Sequence, residues 1–131
     1  MASIDVLISE EELIKRTKEL GAKISEDYKD TEISVICVLK GGVMFMTDLV
    51  KELEPKVSMD FMAVSSYGNE TSSSGIVKIV TLLDKPDRRV VDVDVEYVGF
   101  TIPDHFVVGY GLDYLQHYRN IPYIGIMKGV E

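Results

Sequence analysis

The feature that most limits the possible folds is an apolar segment that leads directly into a glycine turn and a second apolar segment. Residues Ile33 to Leu39 are rich in β-branched side chains and show little alternation, which is typical of a strand covered on both faces. Residues 40–42 (Lys-Gly-Gly) interrupt this run, and Val43 to Leu53 continues with helical character. A strand, a glycine turn and a helix form the basic unit of an α/β domain. The sequence therefore predicts an α/β fold.

Helical and strand patterns continue along the rest of the chain. Ser9 and Glu12 have the spacing of a capping box, and apolar residues recur after them at helical spacing, so we expect an amphipathic helix that ends near Asp27. Further elements are predicted as strands at Val57–Ser65, Gly75–Leu83, Val91–Phe100, Phe106–Tyr110 and Tyr123–Met127, a loop at 66–74 and a short helical turn after Asp113. Two substantial helices are few for a parallel sheet, because covering both of its faces normally takes more.

Composition argues against several classes of function. The chain has 131 residues and a net charge of -8, so a nucleic-acid binder, which needs clustered Lys and Arg, is not expected. No apolar window reaches the length of a membrane span, and the N-terminus lacks the regions of a signal peptide. The single cysteine, Cys37, lies in an apolar run and is predicted to be a buried thiol. We expect one cytoplasmic domain over residues 1–131 that binds neither nucleic acid nor membrane.

The stretch 99–119 (GFTIPDHFVVGYGLDYLQHYR) has residue types that suit a planar base beside a metal-bound anion. Phe106 offers an aromatic ring, and the two glycines after it loosen the backbone. An acid, Asp113, and a fixed cation, Arg119, follow those glycines. Earlier in the chain, the glycine turn at 40–42 opens a helix, where backbone N–H groups can bind an anion. Both segments are therefore candidates for a ligand site.

Five motifs of the chain resemble, in their order, the hypoxanthine-guanine phosphoribosyltransferases, a family of type I phosphoribosyltransferases. These motifs are LKGG (39–42), SSYG (65–68), LLDKP (82–86), VGFTIPDHFVVGYGLDY (98–114) and YRNIPYIG (118–125). The resemblance covers nearly the whole chain and implies a Rossmann-like sheet with flanking helices. It also implies purine salvage, in which a purine base and phosphoribosyl pyrophosphate give a nucleoside monophosphate and pyrophosphate.

The resemblance implies one group of residues on the pyrophosphate side of the site. Its members are Lys40, Gly41 and Gly42, which would contact pyrophosphate, Arg119, which would neutralise it, and Asp113, which would bind Mg²⁺. Structural alternatives exist for each of them. Many strand-to-helix turns carry glycine for steric reasons only, Asp113 is also a good helix N-cap, and Arg119 could form a surface ion pair.

A second group implied by the resemblance lies on the purine side. Lys85 would donate to the 6-oxo group of the base, Phe106 would stack on its ring, and backbone groups of Val107 would read its edge. Ser66 and Tyr67 would lie on a flap that closes over the reaction centre. The alternatives are an exposed turn residue for Lys85, a core residue for Phe106, and a hairpin tip for the Ser-Tyr pair.

One segment that the resemblance implies has no counterpart in this sequence. The family carries a strand ending in two acids and a small-residue loop before a helix, which together hold the sugar and its 5-phosphate. Here Gly75–Ile79 resembles the strand before that unit, Val80–Lys85 resembles the strand after it, and the two are adjacent. A unit of this kind needs roughly 30 residues. We therefore expect a sheet that lacks one central strand and its helix, with a fusion point at residues 79–81, whether engineered or natural.

The missing unit would carry the sugar-phosphate contacts and the general base that acts on the purine. No catalytic candidate other than the flap residues is then retained. We expect lost or strongly reduced catalysis, with weak binding of a purine base or nucleotide and a homo-oligomer as the assembly. Two alternatives are an active enzyme whose phosphate loop comes from another chain, and a non-enzymatic, self-associating core.

Overall fold

The computed structural model describes residues 3–63, 77–88 and 94–129. Their elements, in chain order, are β1 (Ser3–Ile8), α1 (Glu10–Asp27), β2 (Glu32–Leu39), α2 (Val43–Val50), β3 (Lys56–Ala63), β4 (Val80–Asp84), a 3-10 turn (Pro86–Arg88), β5 (Tyr97–Thr101), β6 (Val107–Val108) and β7 (Ile124–Lys128). The expected α/β class is confirmed. Neither of the two described α-helices has the length and apolar character that crossing a membrane requires.

Helix α1 begins at the capping box that the sequence predicts. The Ser9 amide donates to Glu12 Oε1 at 2.9 Å, and the Glu12 amide donates to Ser9 Oγ at 3.1 Å. The helix ends at Asp27, also as predicted. Arg16 of this helix donates to the carbonyl oxygens of Val98 and Gly99, both at 2.8 Å. These bonds fasten β5 to the helix.

The strands of the described residues form three separate sheets. β2 pairs with β3 and β4 pairs with β5, both in parallel, and β1, β7 and β6 form an antiparallel sheet in that order. Within the described residues, no strand pairing joins the two parallel pairs. They nevertheless pack against one apolar cluster, which consists of Leu20, Ile24, Phe45, Leu49 and Tyr97, with Ile33 from β2 and Val80 and Leu82 from β4 against it. The parallel layer is thus divided in two.

A second apolar cluster lies under the antiparallel sheet. It consists of Ile8, Leu13, Ile102, Val107 and Ile124, and the side chains of Val108 and Ile124 are fully buried. Leu82 and Tyr110 pack against both clusters. These two residues therefore link the two parts of the core.

Several boundaries differ from the sequence prediction. Strand β1 was not expected, and β4 begins at Val80 rather than Gly75, since Val77 to Ile79 have no regular structure. β5 likewise begins at Tyr97, whereas residues 91–93 of its predicted range lie outside the described residues. The predicted helical turn after Asp113 is wrong. Positive φ angles at Leu115, Gln116 and Tyr118 are incompatible with a right-handed helix.

Candidate functional site

Two glycine-containing segments that are far apart in sequence meet in the structure: the glycine turn (residues 40–42) and the GYG loop (residues 109–119). A Cβ atom added to Gly111 would lie 2.8 Å from the Gly41 carbonyl oxygen and 3.2 Å from Met44 Cγ. A Cβ atom added to Gly41 would lie 3.2 Å from Leu112 Cδ2. Close approach of backbone to backbone requires glycine here. The fold therefore brings the two predicted ligand segments together.

The GYG loop has an unusual backbone that its own hydrogen bonds maintain. Gly109, Tyr110 and Gly111 have φ angles of 100°, 51° and 96°. The Tyr110 amide donates to the Ile121 carbonyl oxygen at 2.7 Å, and the Gly111 amide donates to the Arg119 carbonyl oxygen at 2.9 Å. These bonds close the loop, so that its two ends lie side by side.

Closure of the loop places Asp113 next to Arg119. Arg119 Nη2 lies 3.4 Å from Asp113 Oδ1, and Arg119 Nη1 donates to the Gly111 carbonyl oxygen at 2.6 Å. Asp113 Oδ2 accepts from the Gln116 amide at 2.8 Å, a cap-like bond that forms without a helix. Both side chains remain partly exposed, at 30% and 24%. The candidate metal ligand and the candidate pyrophosphate cation thus form one ion pair.

On the purine side, Lys85 follows β4 and contacts the segment just before Phe106. Lys85 Nζ donates to the His105 carbonyl oxygen at 2.6 Å and lies 4.0 Å from Asp104 Oδ1. The neighbouring Phe106 is 46% exposed, and its ring meets that of Tyr114 edge-to-face at 5.6 Å. Because Phe106 is half exposed, it is not the core residue of the structural alternative.

The remaining candidate residues differ in how far they are buried. Val107 is buried and pairs with Ile126 in the antiparallel sheet. Lys40 is exposed, while Gly41 and Gly42 are partly buried beside Cys37 and Leu112. Burial raises the pKa of the Cys37 thiol. Ser66 and Tyr67, the predicted flap residues, lie outside the described residues.

Sequence reasoning missed two side chains that support the GYG loop. Tyr110 Oη donates to Asp48 Oδ2 of α2 at 2.6 Å, and Tyr114 contacts the Phe106 ring. Burial, and then the hydrogen bond to Asp48, raise the pKa of Tyr110. The one signal available in the sequence was a tyrosine enclosed by two glycines, which gives no indication of its partner.

The donor set around Asp113 fits only a metal that needs few protein ligands. Among the described residues, no three His, Cys, Asp or Glu side chains come together in a way that could hold a metal. Mg²⁺ commonly binds through one or two carboxylates, with waters and phosphate oxygens completing its shell. A single, partly exposed carboxylate beside a cation is consistent with that mode of binding.

Comparison with known proteins first defines the class. Residues 4–77 match the family described as the phosphoribosyl transferase domain. The match includes the glycine turn and ends three residues before β4 begins. A strand followed by a glycine turn and a helix, as in this chain, is consistent with this class.

Individual relatives identify the family within this class. The hypoxanthine-guanine phosphoribosyltransferase of Bacillus subtilis (strain 168) is 45% identical, over 94% of this chain and 92% of the relative. A crystal structure of a Bacillus anthracis hypoxanthine-guanine phosphoribosyltransferase is 37% identical with a TM-score of 0.87, covering 97% of this chain and 99% of that one. The enzyme of Leishmania tarentolae, solved with GMP, is 30% identical with a TM-score of 0.85, over 96% and 98% of the two chains. The chain therefore belongs to the hypoxanthine-guanine phosphoribosyltransferase family, as its motifs indicate.

The chain is shorter than these relatives. The alignment with the Bacillus subtilis protein spans 166 residues, whereas this chain has 131. Since the alignment includes almost all of both proteins, some positions of the relative have no counterpart here.

Proposed function

We propose that this purine-salvage phosphoribosyltransferase keeps the base and pyrophosphate sides of its site and has lost the part that holds the sugar phosphate. The observation that carries this proposal is the divided parallel layer, in which β2–β3 and β4–β5 do not pair within the described residues. Parallel strands normally belong to larger sheets that are covered on both faces. A missing central strand accounts for the division.

The length of the chain supports the same interpretation. The alignment with the Bacillus subtilis relative spans 166 residues against 131 in this chain, and one strand with its crossover helix takes roughly 30 residues. The family match ends at Val77 and β4 begins at Val80. We therefore propose a single domain over residues 1–131, with its fusion point at residues 79–81.

On the pyrophosphate side, the proposal assigns contacts to the glycine turn and the GYG loop. The turn of Lys40, Gly41 and Gly42 opens α2, where backbone N–H groups and the helix dipole favour an anion. Arg119 adds a fixed positive charge, and Asp113 is the proposed carboxylate for Mg²⁺. When bound with pyrophosphate, that ion supplies neutralising charge. Both side chains must exchange their mutual ion pair for the ligand.

On the purine side, Phe106 stacks on the base, Lys85 donates to its 6-oxo group, and backbone groups of Val107 read its edge. The half-exposed Phe106 ring and the position of Lys85 beside His105 support these roles. Ser66 and Tyr67 are proposed to lie on the flap. The net charge of -8 argues against a nucleic-acid partner, and the free thiol of Cys37 suits the reducing cytoplasm.

The expected consequence is absent or very weak phosphoribosyl transfer. A misplaced reacting centre costs about 100-fold, and loss of a general base costs about 100-fold or more. A coupled assay with hypoxanthine and phosphoribosyl pyrophosphate tests this expectation, with the Bacillus subtilis enzyme as the positive control. A turnover rate in the ordinary range of that enzyme would contradict the proposal.

A second candidate function is favoured by the exposed apolar side chains of the β2–β3 pair. Ile36, Val38, Met59 and Phe61 are each between 45% and 58% exposed, and unpaired strand edges invite pairing between chains. The chain could then act as a self-associating core, or accept the phosphate loop from another chain.

Light scattering tests the first of these, self-association, with a monomer as the contrary result. Addition of the intact Bacillus subtilis enzyme at a catalytically limiting amount tests the second, since activity should then exceed that of the added enzyme.

A further inference from the structure

Two tyrosine hydroxyl groups make the same kind of bond in different parts of the molecule. Tyr97 Oη donates to Asp27 Oδ2, and Tyr110 Oη donates to Asp48 Oδ2, both at 2.6 Å. The first bond joins β5 to the end of α1. The second joins the GYG loop to α2, the helix that the glycine turn opens. Only the second bond therefore joins the GYG loop to the helix that begins after the glycine turn.

We propose that Tyr110 is a positioning residue: its bond to Asp48 holds the GYG loop on α2 and thereby sets the position of Asp113 and Arg119 relative to the glycine turn. The inference rests on the proposed function in one respect, namely that these segments together take magnesium pyrophosphate. The role of Tyr110 in holding the loop stands on the contacts alone.

The backbone of Tyr110 shows that its position is imposed by its surroundings. Its φ angle of 51° lies in the left-handed region, which a bulky residue rarely adopts unless neighbouring structure determines it. Its amide is bonded to the Ile121 carbonyl oxygen at 2.7 Å, and its ring packs against both apolar clusters. The bond to Asp48 adds a directional contact with α2, which packing alone does not provide.

A direct path leads from Tyr110 to the ion pair. The next residue, Gly111, lies against the Gly41 carbonyl oxygen, and its own carbonyl oxygen accepts from Arg119 Nη1 at 2.6 Å. Arg119 in turn pairs with Asp113. A shift of Tyr110 away from α2 would therefore move Gly111 from the glycine turn and carry the Arg119 contact with it.

The hydroxyl group remains a donor over the ordinary pH range. Burial, followed by the bond to Asp48, raises the pKa of Tyr110, so the phenol stays protonated at neutral pH. The bond joins a neutral hydroxyl donor to a carboxylate acceptor. Hydrogen bonds with one ionised partner are stronger than those between neutral groups.

The first test is isothermal titration of magnesium pyrophosphate into the purified chain and two variants. Tyr110→Phe removes the bond to Asp48, and Tyr97→Phe is the matched control because it removes an equally short Tyr–Asp bond outside the site. We expect about a tenfold loss of affinity in Tyr110→Phe and a change within about twofold in Tyr97→Phe. Equal losses in the two variants, or an unchanged affinity in Tyr110→Phe, would overturn the proposal.

Hydrogen exchange provides a readout that does not depend on the ligand. The Gly111 and Leu112 amides, which are bonded inside the loop, should exchange about tenfold faster in Tyr110→Phe and unchanged in Tyr97→Phe. Unaltered exchange in Tyr110→Phe overturns the positioning role. If the parent chain fails to bind magnesium pyrophosphate, the proposed function is contradicted and exchange alone decides the role of Tyr110.

A second variant covers the case in which Tyr110→Phe does not fold. Asp48→Asn keeps the shape and one acceptor oxygen but removes the charge, so loop exchange should increase by less than in a variant without any acceptor. Asp48→Ala is that comparison. Hydrogen exchange in the loop is expected to be slowest in the parent, faster in Asp48→Asn and fastest in Asp48→Ala. The same exchange rate in all three proteins would contradict the proposal.

Discussion

The antiparallel sheet and the β2–β3 pair have similar apolar strands but very different burial. In the antiparallel sheet, Val108 and Ile124 are fully buried. In the parallel pair, Ile36 is 58% and Phe61 is 46% exposed. The difference shows that the pair has the apolar composition of an interior strand pair, while the described residues leave these side chains about half exposed.

The candidate site lies across these two regions. The GYG loop lies between β6 and β7 of the antiparallel sheet, whereas the glycine turn follows β2, a strand of the β2–β3 pair. Side chains of β2 such as Ile36 are more than half exposed, and regions with few buried apolar contacts open more easily. We therefore expect the GYG loop to be better ordered than the glycine turn.

The largest expected effect comes from inserting the strand, loop and helix that we propose are missing. Inserting the corresponding segment of the Bacillus subtilis relative between Ile79 and Val80 should raise the rate of phosphoribosyl transfer on the order of 10,000-fold. The insert would supply both the contacts that hold the sugar phosphate and the general base. A Gly/Ser linker of the same length is the control. No gain from the insert in a folded protein, or an equal gain from the linker, would contradict the division of the site that we describe.

The next effect concerns stability and compares one isoleucine from each region. Ile124→Ala should reduce the free energy of unfolding by about 2–5 kcal/mol, because a fully buried side chain is removed. Ile36→Ala should change it by only about 0.5 kcal/mol, since that side chain is more than half exposed. Urea unfolding of both variants measures the difference. Similar losses would mean that β2 is covered in solution.

The tyrosine bonds predict a smaller, pH-dependent effect. Burial and then the aspartate bonds raise the pKa of both Tyr97 and Tyr110, so their stabilising contribution is complete below the ordinary tyrosine pKa of about 10 and is lost as the pH rises above it. Tyr110→Phe should therefore be less stable than the parent by about 1 kcal/mol at pH 8, and by less at pH 11. A difference that stays constant between these two pH values would contradict this pH-dependent contribution.

The smallest effect is expected at acidic pH, at the bond outside the site. The hydrogen bond from Tyr97 lowers the pKa of Asp27, with Lys23 contributing in the same direction and desolvation opposing. Its stabilising contribution is therefore present above the ordinary aspartate pKa and is lost as the pH falls below it. The melting temperatures of the parent and Tyr97→Phe should differ at pH 7 and approach each other near pH 3. A gap that widens toward acid would have the wrong sign.

Local signals in the sequence predicted local structure well. The capping box at Ser9 and Glu12 fixed the start of α1, and the β-branched run at Ile33–Leu39 marked β2, because both depend on neighbouring residues. Strand β1 could not be predicted in this way, since its partner in β7 begins at Ile124. The family motifs identified Asp113 and Arg119 as candidates, but not the ion pair between them.

Two further features depended on tertiary structure. The strand prediction at Gly75–Leu83 treated one apolar run as continuous, whereas regular pairing begins only where β5 lies alongside, at Val80↔Tyr97. The bond between Tyr110 and Asp48 joins residues 62 positions apart, and no local pattern could indicate it. The positive φ angles that exclude a helix after Asp113 likewise follow from closure of the loop.

Isothermal titration with hypoxanthine and with inosine monophosphate tests the central claim most directly, since the two ligands differ by the ribose phosphate. We predict measurable binding of hypoxanthine, with inosine monophosphate bound no more tightly. Binding of the nucleotide more than about tenfold tighter than the free base would show that the chain still holds the sugar phosphate, and would contradict the claim.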